Sequence, residues 1–190
     1  HNATEFRILF AGNIGYAQDI ESIAAAIKQT KVLNKNIKWT FLGNGSMQNW
    51  LHEKINEEGC VDVVDLIPAV SLSKVGDYYS DCDALLVSLK SDDIFNLTVP
   101  GKIQTYLAVG KPILGMLNGE GFDVIRASQA GLACKSGDYV SLANHANELA
   151  ITDCEKLNTM GLNGKEYAEK HYEKNTVITR FCQSLNAITK

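Results

Sequence analysis

Phe6-Arg7-Ile8-Leu9-Phe10-Ala11-Gly12-Asn13-Ile14-Gly15 holds the pattern that decides the fold. A mostly apolar run over Phe6–Ala11 opens into a turn bracketed by two glycines. Beyond it, Ile20, Ile23, Ala24 and Ile27 recur at i, i+3, i+4 and i+7, the single apolar stripe of an amphipathic helix. A run that is continuous rather than alternating predicts a parallel strand covered on both faces. The same strand-then-helix sequence repeats along the chain, with strands expected at Ile37–Leu42, Val61–Leu66, Ala84–Leu89, Pro112–Gly115 and Gly131–Cys134.

Local signals place the helices between them. Asn44 or Ser46 suits the cap of a helix through about Asn56, and Ser71 that of another ending near Tyr79. Pro100 fits the first turn of a helix running to Val109, where its missing N–H costs nothing. Gly110 then stands where a left-handed cap is needed. The order βα, repeated about six times, predicts an α/β, Rossmann-like, doubly wound parallel sheet of about six strands with helices on both faces. One domain spans 1–190: a core over 1–150 and a helical tail over 151–190. The tail aligns Val177, Phe181, Cys182, Leu185 and Ile188 on one side, so it packs back on the domain or against a neighbour.

Composition narrows the function classes. The chain has 190 residues, 45% hydrophobic and 21% charged, which argues against disorder. A net charge of −4 without like-charge runs points away from a nucleic-acid-binding surface. Cys60, Cys82, Cys134, Cys154 and Cys182 are scattered without metal-ligand spacing, as free thiols of a reducing cytosol would be. The glycosylation triplets at Asn2, Asn44 and Asn96 are then chance. Neither a signal peptide nor a membrane span is visible. The opening His1-Asn2-Ala3 lacks Met and reads as a cut or tag scar, so a further N-terminal portion is expected.

Ligands of open parallel sheets bind beyond the carboxyl ends of the strands. Four loops fall there. Gly12-Asn13-Ile14-Gly15 either brings backbone N–H groups to a phosphate or is an ordinary tight turn. Gly43-Asn44-Gly45-Ser46 either touches a ligand or packs a helix start. The Gly-x-Gly-x-x-Gly pattern and its ribose-binding acid are absent, which speaks against nicotinamide cofactors. Val99-Pro100-Gly101-Lys102 combines a helix N-terminus, a glycine and a cation, an anion site unless the lysine is merely solvated. Gly119-Glu120-Gly121 either shapes itself round a hydroxylated ligand or is a flexible surface turn capping the next helix. His52, His145 and His171 lie on helix patterns and are expected to face solvent. The sequence shows neither a catalytic triad nor a metal cluster.

The stretch Val99-Pro100-Gly101-Lys102-Ile103-Gln104-Thr105-Tyr106-Leu107-Ala108-Val109-Gly110-Lys111-Pro112-Ile113-Leu114 resembles the donor-site segment of retaining family 4 glycosyltransferases of GT-B fold. It is most similar to the bacterial fucosamine transferase subgroup. Phe10–Gly15, Phe41-Leu42-Gly43-Asn44-Gly45 and Gly137-Asp138 fall where that family has its loops. The resemblance implies the C-terminal, donor-binding half of a two-domain enzyme, whose N-terminal half binds the acceptor. It implies transfer from a nucleoside-diphosphate sugar, a UDP-sugar foremost, to a glycan or lipid-linked acceptor in surface polysaccharide synthesis. It also implies a cytoplasmic enzyme, peripheral at the inner face of the membrane, that needs no metal or further cofactor. The donor-facing residues would be Gly12, Asn13, Ile14, Gly15, Gly43, Asn44, Pro68, Val99, Pro100, Gly101, Lys102, Gln104, Thr105 and Glu120.

The chain departs from the family pattern in places that matter. Leu97 and Thr105 stand where two glutamates are usual, and Asn13 and Gln18 stand where Arg and Lys are usual. Lys102 and its helix start would take over the charge role, with Gln104 and Thr105 as weaker hydrogen-bonding groups. A sugar-nucleotide epimerase of the same fold is an alternative, but it carries Ser-Gly-Gly where this chain has Val99-Pro100-Gly101. A receiver or flavodoxin-like module is another, but a receiver needs an acidic pair after the first strand, where this chain has Ala11-Gly12-Asn13.

Overall fold

The computed structural model describes residues 5–34, 36–174, 176–179 and 182. Six parallel strands run in the order β3-β2-β1-β4-β5-β6. They are β1 (Phe6–Ala11), β2 (Ile37–Leu42), β3 (Val64–Ile67), β4 (Ala84–Ser88), β5 (Ile113–Met116) and β6 (Gly131–Cys134). Parallel neighbours need crossovers, and right-handed crossovers leave helices on both faces once the strand order reverses. One face carries α1 (Ile20–Leu33), α2 (Gln48–Glu57) and α7 (Tyr139–Ile151). The other carries α3 (Leu72–Asp81), α5 (Gly101–Val109), α6 (Gly119–Ser128) and α8 (Cys154–Tyr172). A single turn, α4 (Asp93–Asn96), leads into α5. Phe10, Trp39 and Phe41 pack with Ile23 and Ile27 on the first face, while Leu9, Leu85 and Ile113 pack with Tyr106, Leu107 and Ile125 on the second. The expected α/β doubly wound architecture is present, and its order reverses between β1 and β4.

Several boundaries differ from the sequence reading for local reasons. Val61–Val63 wind into a 3-10 turn, Val63 N–H bonding Cys60 O at 3.1 Å, so β3 starts at Val64. Pro112 has only a carbonyl to offer, taken by Leu85 N–H at 2.9 Å, and β5 starts after it. Neither Asn44 nor Ser46 caps α2. Met47 stands at that position, and Asn44 Oδ1 accepts from Ala69 N–H at 3.3 Å. Ser71 does precede α3, but its hydroxyl meets Ser73 Oγ at 3.0 Å rather than the helix amides, and α3 continues to Asp81. At α5 the reading holds: Pro100 precedes the helix and Gly110, at φ 77°, closes it.

Gly119-Glu120-Gly121 is not a loop but the first turn of α6. A Cβ at Gly119 would stand 1.9 Å from Asn96 O, and one at Gly121 would stand 3.1 Å from Pro100 Cδ. The two glycines therefore let the end of α4 and the starts of α5 and α6 crowd together. His52 is exposed as expected, but His145 and His171 are half-buried. Nδ1 of His145 is buried without a hydrogen-bond partner, and His171 stacks on Tyr167 at 4.2 Å. All five cysteines are free; Cys60, Cys82 and Cys134 are buried. Helix α8 lies on α5, where Gly161 faces Gly110 O so closely that a Cβ would stand 2.2 Å away. Phe181, Leu185 and Ile188 of the tail stripe, and Asn2, lie outside the described residues. Among the described residues, no helix is long and apolar enough to cross a membrane.

Candidate functional site

The strand reversal opens a split at one sheet edge. β1 pairs with β2 as far as Ala11↔Leu42, but with β4 only as far as Leu9↔Leu85. Beyond β1, Gly12 takes φ 134° and, beyond β2, Gly43 takes φ 147°, a region that favours glycine. The two loops then close on each other backbone to backbone. A Cβ at Gly43 would stand 1.9 Å from Gly12 O, and one at Gly45 would stand 2.1 Å from Ile14 O. Gly12 N–H bonds Leu42 O at 2.8 Å, Ile14 N–H bonds Asn44 O at 2.9 Å, and Met47 N–H bonds Ile14 O at 2.9 Å.

Of the two readings of the glycine loop, this network favours the ordinary tight turn. Gly15 N–H is held by Gln18 Oε1 at 3.1 Å, and Asn13 Nδ2 meets the same oxygen at 3.3 Å. The amides of Gly12, Ile14 and Gly15 are therefore already taken, and the Ile14 side chain is buried in the core. Ile14 and Gly15 build the loop rather than face a ligand. Asn13 and Gln18, which replace the usual basic pair, bond each other and close the turn.

Gly12, Asn13, Gly43 and Asn44 do come together, as one wall of a cleft of about 410 Å³. Val70, Leu72, Val75 and Tyr79 form the facing wall. That wall is apolar, and Leu72 at its rim is 93% exposed. Pro68 is exposed and stands outside the lining.

Lys102 completes the edge from the first turn of α5. Its Nζ would stand 3.1 Å from a Cβ on Gly12, so the missing side chain of Gly12 is the space it occupies. The ammonium lies 3.9 Å from the centroid of the Phe10 ring. Among the described residues no carboxylate pairs with it, and burial alone brings its pKa down to about 8. Lys90, by contrast, is committed to Glu21 at 2.9 Å and to the Tyr16 ring at 3.2 Å. The first amides of a helix have no partner within it, and they carry partial positive charge. Gly101 and Lys102 thus add helix-start backbone donors, and the Lys102 ammonium brings a full cation beside Gly12, a combination suited to an anion.

A half-buried cation without a counterion carries a cost that depends on pH. Unfolded, Lys102 titrates near 10.5; folded, near 8. Well below pH 8 both states are protonated and the native state bears the full cost. Between 8 and 10.5 the unfolded state binds more protons, so stability rises with pH across that window. Lys102→Met, which keeps the stem over Phe10, is expected to be more stable than wild type at pH 7. That advantage should shrink towards pH 10. Urea unfolding of both proteins at four pH values checks this, and a difference that stays constant would refute the burial argument.

Other expected residues lie elsewhere. Val99 is half-buried against the core, and Pro100 leads into α5. Gln104, Thr105 and Ala108 of α5 line a separate groove with Lys165 and Tyr172 of α8, and Thr105 Oγ1 bonds Gly101 O at 3.2 Å. Glu120 is exposed at the start of α6, where its charge adds to the burial and the Tyr167 contact that raise the Tyr172 phenol. Leu97 is 78% exposed after α4. Tyr106, which sequence reasoning passed over, reaches the tip of β1. Its only sequence signal was a tyrosine one helical turn after Lys102.

Comparison with known proteins agrees with this architecture. The Pseudomonas aeruginosa protein described as probable glycosyltransferase WbjE is 27% identical over 174 residues, spanning 90% of this chain and 42% of that protein. The chain therefore covers less than half of this curated relative. Anabaena HepE, solved with UDP and glucose, superposes with a TM-score of 0.79 at 17% identity, covering 97% of this chain and 49% of HepE. The C-terminal domain of the group 1 glycosyl transferase LpcC from Francisella tularensis superposes at 0.73 with 15% identity, covering 89% of this chain and 87% of that one. The family model described as "Glycosyl transferases group 1" matches residues 1–167, and the chain belongs to that family.

Proposed function

We propose that this chain is the donor-binding half of a retaining glycosyltransferase of family 4 type and GT-B architecture. It binds a nucleoside-diphosphate sugar, a UDP-sugar foremost, and an acceptor-binding domain of the same protein faces its cleft. The observation that carries the reading is the ammonium of Lys102 at Gly12, without a carboxylate partner among the described residues, where the start of α5 meets the tip of β1. Sugar transfer develops negative charge on the departing diphosphate, and fixed donors in a water-poor site stabilise it. Lys102 and the α5 amides supply that charge without a metal. The apolar wall of Val70, Val75 and Tyr79 suits the flat nucleobase, and the bare Gly12–Gly43 edge suits the ribose and phosphates.

The solved relatives support the choice of base. HepE was solved with UDP-glucose, and pneumococcal GtfA with UDP and GlcNAc. Hexosyl or N-acetylhexosaminyl transfer to a glycan or lipid-linked acceptor, at the inner membrane face, is the whole enzyme's role under this reading. An epimerase would convert donor sugar without acceptor, and incubation with donor alone separates the two.

The primary test is a thermal-shift screen of the chain against UDP, GDP and their sugars. A ligand that binds only the native state at a hundred times its Kd adds about 2.7 kcal/mol of stability. UDP is expected to raise the midpoint more than GDP, and the chain alone is expected to transfer no sugar, since half a cleft neither orients the acceptor nor excludes water. Absence of any shift with millimolar nucleoside diphosphates, or turnover by the chain alone, would overturn the reading.

A further inference from the structure

We infer that Tyr106 is a positioning residue: its hydroxyl fills the split between β1 and β4 and holds the Ala11–Gly12 peptide against Lys102, so the anion site exists before the ligand arrives. The inference rests on the diphosphate reading of Lys102 above.

The backbone states the need. Gly12 N–H points to β2, where it bonds Leu42 O. Alternation along the strand turns Ala11 N–H the other way, towards β4. But β4 has left the ladder after Leu9↔Leu85. A buried amide left unpaired there would be costly.

Tyr106 meets that need from α5. Its Oη accepts the Ala11 N–H at 3.2 Å and donates to Ala11 O at 3.4 Å, both contacts buried. The side chain is 0% exposed. Burial raises the phenol far above its ordinary range, so the hydroxyl keeps its proton and serves as donor and acceptor together. Tyr79 meets the ring edge-on at 6.0 Å and fixes its plane. Lys102 stands four residues earlier, one turn along the same helical face. One face of α5 therefore carries both the group that holds the Gly12 peptide and the ammonium that rests against it. A water molecule in the split would satisfy the amide, but it would not tie helix to strand.

Three measurements on the full chain test this. Amide exchange by NMR should show Ala11 already protected without ligand and little changed by UDP. In Tyr106→Phe, which retains the ring and its packing, Ala11 exchange should accelerate at least about tenfold, and UDP affinity by calorimetry should fall about tenfold. Ile8→Val, a core change of comparable cost to stability, should leave UDP affinity unaltered. An Ala11 amide that becomes protected only with UDP overturns the inference. So does Tyr106→Phe binding UDP like wild type while Lys102→Ala is weakened; the site reading then survives without it. If Lys102→Ala itself binds like wild type, the site reading falls and takes this inference with it.

Discussion

Lys102→Ala is expected to weaken UDP binding on the order of ten- to a hundredfold at pH 7 while leaving the fold intact. A charge-assisted contact is worth roughly 1.5–3 kcal/mol, which corresponds to that range of affinity. Position supports the assignment. A cation in the first turn of a helix opposes the helix dipole, and this one lacks a carboxylate partner among the described residues. Helix stability thus gives no reason for a lysine here, whereas a bound anion does. Lys28→Ala is the matched control: Lys28 sits on the far face of α1, pairs with Glu58, and lies away from the cleft. Calorimetric titration of wild type and both variants with UDP reads the difference. Equal affinities for Lys102→Ala and wild type would remove the anion site from this helix start.

The second large effect is on stability. Gly43→Ala is expected to lower it by about 3 kcal/mol or more, a fall in melting temperature of roughly 6–12 °C for a chain of this size. Two penalties coincide there. The backbone at φ 147° disfavours any side chain, and the added Cβ would stand 1.9 Å from Gly12 O, a backbone atom of a residue whose N–H bonds Leu42 O. Gly59→Ala separates the two. Gly59 also has positive φ, 63°, but nothing lies within 4 Å of its Cβ position, so only the backbone cost, about 1–2 kcal/mol, applies. A Gly43→Ala protein that melts no lower than Gly59→Ala would contradict the close approach of the two loops. UDP affinity should fall with Gly43→Ala as well, because the loop it displaces is one wall of the cleft.

Periodicity made most of the fold legible. The mostly apolar runs at Phe6–Ala11 and Ile37–Leu42, broken only by Arg7, Lys38 and Thr40, give β1 and β2 at the bounds the sequence indicates, because central parallel strands are largely covered on both faces. Where the signal was local but ambiguous it failed. Gly119-Glu120-Gly121 reads as a loop, since glycine is a poor helix former, yet crowding by Asn96 and Pro100 makes glycine the residue that fits. The partners that settle the candidate site are distant in sequence. Nothing near Ile14 announces that Asn44 O takes its amide, and nothing near Ala11 announces Tyr106, ninety-five positions away. For the same reason the glycine loop looked like a source of free amides. Lys102 was legible as a cation at a helix start, but its burial over Phe10 depends on how α5 docks on β1.

That burial has a chemical consequence. With its pKa lowered to about 8, Lys102 carries far more free amine near neutral pH than a lysine of ordinary basicity. The free amine is the form that reacts with electrophiles, so burial gives this residue chemistry that an ordinary lysine shows only at higher pH. An amine-directed reagent small enough to reach the nitrogen is expected to acylate or alkylate it. An occupant whose phosphates hold the proton on that nitrogen will silence the same reaction. Protection of one lysine from one reagent then reports occupancy of the site in the unmutated protein.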